Sequence, residues 1–140
     1  MDKRPPPMAS ILLLGASLIA LAGLLWLWSL ENTGDPRPAE VAIVVTDKAD
    51  ELIFNATGVR LEARHNTVLD LLLEATTIGN FTVHVVYGLG GHAYVDEIDG
   101  IKAEGRCGWV FEVNDVRPPV AADAYWLATG DRVHWRWGCE

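Results

Sequence analysis

Gly108-Trp109-Val110-Phe111-Glu112-Val113-Asn114-Asp115, followed by Ala124-Tyr125-Trp126-Leu127-Ala128-Thr129-Gly130-Asp131-Arg132-Val133-His134-Trp135-Arg136-Trp137, forms two alternating patterns with a cysteine, Cys107 or Cys139, just outside each. Alternation of apolar and polar residues is the period of a half-buried strand. If the cysteines are bonded across an antiparallel pair, the register follows. Trp109 then opposes Trp137, Phe111 opposes Trp135 and Val113 opposes Val133, all on one face. The other face receives Val110 with Arg136, Glu112 with His134 and Asn114 with Arg132. One face is aromatic and the other polar, so the disulfide and the binary pattern agree independently.

Outward from this pair, apolar residues make up half of the 140-residue chain but are unevenly placed. Residues 8–30 (MASILLLGASLIALAGLLWLWSL) hold no charge. At about 1.5 Å per residue such a helix reaches roughly 35 Å, enough to cross a bilayer core of about 30 Å. Lys3 and Arg4 precede this span, and Glu31, Asp35 and Glu40 follow it with only Arg37 for balance. The positive-inside bias leaves the N-terminus (residues 1–7) cytoplasmic and the rest of the chain outside, making a single-pass cell-membrane protein. Trp26 and Trp28 fall where an outer interfacial belt is expected. The competing reading is a signal peptide cleaved after Ala20-Leu21-Ala22, against which the apolar run Leu24 to Trp28 continues past that point. Residues 31–40 (ENTGDPRPAE) form a polar, proline-bearing linker, and residues 41–140 form one extracytoplasmic domain of ordinary size.

Setting Asp2, Lys3 and Arg4 aside from the chain's 19 acids and 11 Lys and Arg leaves 18 against 9 in residues 31–140, a formal charge of −9. That surface disfavours nucleic acid and anionic lipid. Within the domain, Val41 to Val45 is a continuous apolar run suited to a central strand. Val59, Leu61 and Ala63 alternate with Arg60, Glu62 and Arg64 as a half-buried strand, with Thr46 to Gly58 as a loose hairpin connection. Val68, Leu71, Leu72 and Ala75 follow at helical spacing, Asp70 stands three residues after Thr67 as in a capping box, and the helix ends by Gly79. Phe81 to Tyr87 and Tyr94 to Ile98 read as strands, the latter closed by the turn pair Asp99-Gly100. The order strand, strand, helix, several strands is an α+β signature. A helix packed on a mixed sheet, with the aromatic face beneath it, points to a β-grasp.

Several of these stretches also resemble a known group. They are Thr67 to Asp70; Tyr94, Val95, Ile98, Asp99 and Gly100; Gly108-Trp109 with Val113-Asn114; and Ala124-Tyr125 with Gly130-Asp131-Arg132-Val133-His134-Trp135. In that order, over about residues 41–138, they resemble the transcobalamin-like C-terminal domain family, β-grasp modules that are anchored or secreted in prokaryotes and form the C-terminal domain of vitamin B12 carriers. The resemblance implies a non-enzymatic role in holding a ligand or partner outside the cytoplasm. Relatives that bind corrinoids complete the site with a second, helical domain, which this sequence lacks, so a weak or shared corrinoid site is the most it implies.

Cys107 and Cys139 lie on the oxidising side of the membrane and read as a structural disulfide. A redox pair lacks the Cys-x-x-Cys spacing, and two thiols alone make a poor metal site. His65, His84, His92 and His134 share no ligand spacing, and Asp96, Glu97 and Asp99 do not match a calcium loop. Neither a cofactor nor a metal is indicated. Gly88-Leu89-Gly90-Gly91 precedes a strand, so no helix N-terminus follows to receive a phosphate. Asn55-Ala56-Thr57 and Asn80-Phe81-Thr82 are glycosylation sequons, relevant only where exported proteins are glycosylated.

All three serines (Ser10, Ser17 and Ser29) fall in the apolar span, and no nucleophile stands with a base, so enzyme activity is not expected. The candidate surface is the long connection carrying Asn114, Asp115, Arg117, Tyr125 and Trp126, whose aromatic residues give contact area at low entropic cost. A lid over the sheet edge is the other account of Tyr125 and Trp126. Two roles remain: a module binding a small molecule such as a corrinoid, or an interaction or structural module of an envelope assembly.

Overall fold

The computed structural model describes residues 36–140, and the apolar span 8–30 lies outside the described residues. In chain order the elements are β1 (Ala39–Thr46), β2 (Leu52–Leu61), α1 (Val68–Ile78), β3 (Val83–Tyr87), β4 (Ala93–Ile98), β5 (Ile101–Lys102), β6 (Cys107–Val113) and β7 (Arg132–Cys139). They make a four-stranded sheet in the order β2-β1-β7-β6 and a three-stranded sheet in the order β3-β4-β5. β1 runs parallel to β7 and antiparallel to β2, so the larger sheet is mixed. A mixed sheet with one helix is the α+β arrangement expected from the sequence.

β6 and β7 pair antiparallel in the register the cysteines impose, from Cys107 opposite Cys139 through Trp109 opposite Trp137 and Phe111 opposite Trp135 to Val113 opposite Val133. A disulfide closes the end of the pair, with Cα atoms 3.9 Å apart. Cys107 exchanges its backbone bonds with Glu104 instead of Cys139, and Glu140 N–H donates to Arg106 C=O. The cysteines therefore occupy a non-hydrogen-bonded pair, where side chains approach most closely. By alternation the aromatic pairs occupy the same kind of position. Trp109 meets Trp137 edge-on at 5.7 Å between ring centroids, and Phe111 meets Trp135 at 5.3 Å. On the other face, Arg136 donates to Glu112 through Nε at 2.9 Å, and His134 Nε2 lies 2.8 Å from Thr46 Oγ1.

β1 lies between β2 and β7, which is why its sequence is apolar almost throughout; Val41, Ile43 and Val45 are buried. α1 buries Val68, Leu69, Leu71, Leu72 and Ala75. It packs on β1, β2 and β3, while β4 lies over β6. The aromatic face of the β6–β7 pair was expected beneath the helix; β4 takes that place over β6. Trp109 secures the join by donating its indole N–H to Ile101 C=O at 2.8 Å. Fully burying a leucine contributes about 1.5–3 kcal/mol, so the helix face and the aromatic pairs hold the two sheets together.

Four local expectations are corrected. Thr46 to Gly58 is not a loose connection, because β2 begins at Leu52 and only residues 47–51 link it to β1. Asp47 makes that turn compact, its Oδ1 accepting from Ala49 N–H at 2.8 Å and Glu51 N–H at 2.9 Å. The β2 pattern was obscured by a bulge. The partners shift from Val41 with Val59 to Ile43 with Ala56, and Gly58 sits at φ +67°, as one form of bulge requires. Ala63 is an exposed turn residue, since β2 stops at Leu61, and β3 starts at Val83 rather than Phe81. The fourth concerns β5, which the sequence did not announce. It follows directly from Asp99 and Gly100, both at positive φ, as the two-residue hairpin turn demands.

Candidate functional site

Beside β6 the structure forms a groove of about 560 Å³ lined by Trp109, Val110, Phe111 and Trp135, by His92 to Val95 of the β4 segment, and by the strap Arg117 to Ala122 with Ala124. Trp135 is buried, and its indole N–H has no acceptor among the described residues. A second hollow of about 490 Å³ lies beside the disulfide, lined by Gly105 to Val110 with Gly138 and Glu140. The two share Trp109 and Val110, so both open beside β6.

The strap leaves β6 through a tight turn. Asn114 and Asp115 have φ of 51° and 66°, and Val113 and Val116 exchange backbone hydrogen bonds at 2.9 and 3.1 Å. Asn114 also fastens the start of β7: its Nδ2 donates to Asp131 Oδ1 at 2.9 Å and its Oδ1 accepts from Arg132 N–H at 2.9 Å. Asp115 is exposed in the same turn. Arg117 lines the groove and pairs with Glu140 at 2.6 Å.

Tyr125 and Trp126 belong to a different neighbourhood. Val68 N–H donates to Tyr125 C=O at 3.1 Å, and Leu69 N–H to Ala122 C=O at 3.0 Å. Thr67 and Asp70 complete the reciprocal capping box anticipated from their spacing. Every free donor in the first turn of α1 is thereby used, leaving none for an anion. The Tyr125 side chain packs against the core, where burial, and secondarily the Asp131 carboxylate, raises its pKa above the ordinary tyrosine value. Trp126 is half-buried and bridges to Thr67. Of the five surface candidates, Arg117 alone lines the groove. The lining residues Trp109, Phe111 and Trp135 were visible in the sequence, but only as core.

At the groove rim, Asp123 Oδ2 accepts from Ala93 N–H at 3.0 Å, and His92 Nδ1 lies 3.5 Å from Asp123 Oδ1. His84 pairs with Asp96 at 3.3 Å on the exposed side of the smaller sheet. Among the described residues no three His, Cys, Asp or Glu side chains assemble as metal ligands, and no helix is long and apolar enough to cross a membrane.

A family model described as a domain of unknown function, DUF4430, matches residues 66–138. The chain belongs to that family. The DUF4430 match runs from Asn66, just before α1, to Gly138 near the end of β7, and so takes in the whole groove. No curated protein matches the chain. Among solved structures, it is similar to a protein from Ruminococcus gnavus ATCC 29149 described as a "putative metal binding protein", with a TM-score of 0.55 and 12% identity over 73% of this chain and 98% of that one. It is also similar to haptocorrin in complex with Cbi, with a TM-score of 0.56 and 15% identity over 74% of this chain. The chain spans only 26% of haptocorrin. At these identities the likeness is one of fold.

Proposed function

We propose that this chain is a non-enzymatic β-grasp binding module displayed outside the cell membrane. Residues 8–30 anchor it as a single pass with the N-terminus cytoplasmic, residues 31–40 are the linker, and the groove beside β6 takes the ligand. The observation that carries the reading is the groove itself, a concavity of about 560 Å³ with Trp109, Phe111 and Trp135 in its lining. Its size and its mixture of aromatic walls with a few polar groups suit a small-molecule site. A ligand with an apolar face would lie against the rings, with His92 and Arg117 within reach of polar substituents. A corrinoid is the special case supported by the fold shared with haptocorrin.

Thermal shift and calorimetry on the full chain in detergent, with a small-molecule panel that includes corrinoids, test this reading. A ligand that raises Tm in the parent and loses at least tenfold in affinity in Trp109→Ala is the expected result. Binding unaffected by Trp109→Ala would remove the groove as the site, and no response to any corrinoid would remove that special case. A second reading, docking of an envelope protein, is favoured by exposed apolar residues on the β3–β4 hairpin, where Val86, Tyr87, Leu89 and Tyr94 lie together in sequence and pairing.

A further inference from the structure

We infer that the groove accepts an extended peptide, which pairs as an added strand with the free edge of β6 at Trp109 and Phe111. This rests on the proposed reading that the groove is the binding site. The inference starts from the main-chain hydrogen bonds of β6. Its even-numbered positions bond toward β7, as the bond from Asn114 N–H to Arg132 C=O shows at the pair's end, so the N–H and C=O groups of its odd-numbered positions point to the opposite edge. Cys107 spends both groups on Glu104, and Val113 spends both on Val116. Between those closed ends, Trp109 and Phe111 present two donors and two acceptors, with no backbone partner among the described residues. Unpaired main-chain groups in this pattern match an extended chain and little else.

The sequence explains why the protein does not fill this edge itself. A hairpin continuing from the Val113–Val116 rung would set residue 118 opposite Phe111. That residue is Pro118, with Pro119 behind it, and neither has an N–H to give. The strap therefore leaves β6 after one rung and passes to α1, where Ala122 C=O receives Leu69 N–H. The prolines keep the crevice open.

An antiparallel peptide would place the residues opposite Phe111 and Trp109 with their side chains in the aromatic groove, and the residue between them on the Val110 side. Its C-terminal end would run toward Arg106. Of the charged residues lining the two hollows, Arg117 is paired with Glu140, which leaves the Arg106 guanidinium at the end toward which the peptide's C-terminus runs. The occupant is accordingly an extended peptide with apolar side chains at alternate positions and a carboxylate toward its C-terminal end.

The test uses the full chain in detergent. Residue-resolved hydrogen exchange should find the Trp109 and Phe111 amides exchanging at least a hundredfold faster than those of Val110 and Glu112. Selection from a displayed random heptapeptide library should enrich that alternating, acid-ended pattern, and the enriched peptide should protect the two fast amides. N-methylation of the peptide residue opposite Trp109 should weaken binding at least tenfold. Pro118→Ala, which restores the missing donor, should protect the Phe111 edge in the free protein and weaken the peptide at least tenfold.

Slow exchange at both amides in the free protein, or no enriched peptide, overturns the inference. Enriched peptides that bind in the groove but are indifferent to N-methylation overturn the strand pairing while leaving the groove as the binding site. If no peptide binds, the small-molecule measurements with Trp109→Ala still decide the groove independently.

Discussion

On one flank β6 pairs with β7 at seven consecutive positions and is closed by a disulfide; on the other its main chain is bonded, among the described residues, only at its two ends, by Glu104 and Val116. The paired flank has its register set three times over, by the Cys107–Cys139 bond, by the aromatic pairs and by the Glu112–Arg136 ion pair on the opposite face. The open flank has a turn, two prolines and a groove. The difference teaches how one strand serves both stability and recognition: rigid pairing on one side fixes the rings and main-chain groups that the other side offers, so that little ordering is left for a ligand to impose.

The largest expected effect breaks the paired flank from within. Trp135 is buried against Phe111, and Trp135→Ala should cost about 3–5 kcal/mol, the range for emptying a large aromatic site. Urea unfolding followed by far-UV circular dichroism gives the number; a loss below about 1 kcal/mol would mean that the aromatic face is not the structural centre of the pair. Next in size is the disulfide. It closes a loop of 32 residues, and the chain-entropy model values such a loop at roughly 3.5–4 kcal/mol. The double variant Cys107→Ala with Cys139→Ala should lose about that much while keeping the cross-strand contact between Trp109 and Trp137, because the ring pairs fix the register without the bond. A slipped register, seen as altered cross-strand nuclear Overhauser contacts, would show that the bond alone sets it.

How much of this was legible in the sequence differs between the same two flanks. The β6–β7 register could be read because a covalent constraint and a period-two pattern make the same statement. The capping box at Thr67 and Asp70 could be read because its chemistry is local. The start of β2 could not: its bulge at Gly58 breaks the alternation, and as an edge strand it fully buries only Val59 and Leu61. The groove was hidden for another reason. Trp109, Phe111 and Trp135 carry the same apolar signal whether another sheet covers them fully or a crevice leaves them within reach, and only the departure of the strap at Pro118 separates the two cases. Tyr125 and Trp126 read only as aromatics of a long connection, because its tie to the helix start runs through the backbone carbonyls of Tyr125 and Ala122, which no side-chain pattern announces.

A smaller effect sharpens the boundary between the flanks. Asn114 adopts φ 51° and clamps Asp131 and Arg132, whereas Asp115 beside it, at φ 66°, makes no side-chain hydrogen bond among those of the described residues. Asn114→Ala should cost about 1–2 kcal/mol, from two lost hydrogen bonds and a backbone conformation alanine adopts poorly. Asp115→Asn should stay within about 0.5 kcal/mol, because asparagine tolerates the left-handed region and no contact is lost. Chemical denaturation of the two variants side by side checks the contrast; a loss in Asn114→Ala no larger than in Asp115→Asn would mean that neither the clamp nor the turn conformation contributes as argued.

The smallest effect reports on the connection itself through pH. Tyr125 has its pKa raised above 10.0 by burial and, secondarily, by the Asp131 carboxylate. The unfolded chain releases this proton near the ordinary value, while the folded chain holds it to higher pH. In that window the folded state binds more protons, so stability must fall as pH rises. The contribution is fully present below pH 10.0 and is lost through the folded value above it. Other groups titrate in the same range, so the observable is a difference: Tyr125→Phe should show a shallower alkaline decline than the parent, with the two curves parallel between pH 6 and 9. The Tyr125 carbonyl that caps Val68 is untouched by the change, which keeps the helix start constant in both proteins. Parallel curves above pH 10 as well would place the hydroxyl in water and detach Tyr125 from the core that the connection is argued to cover.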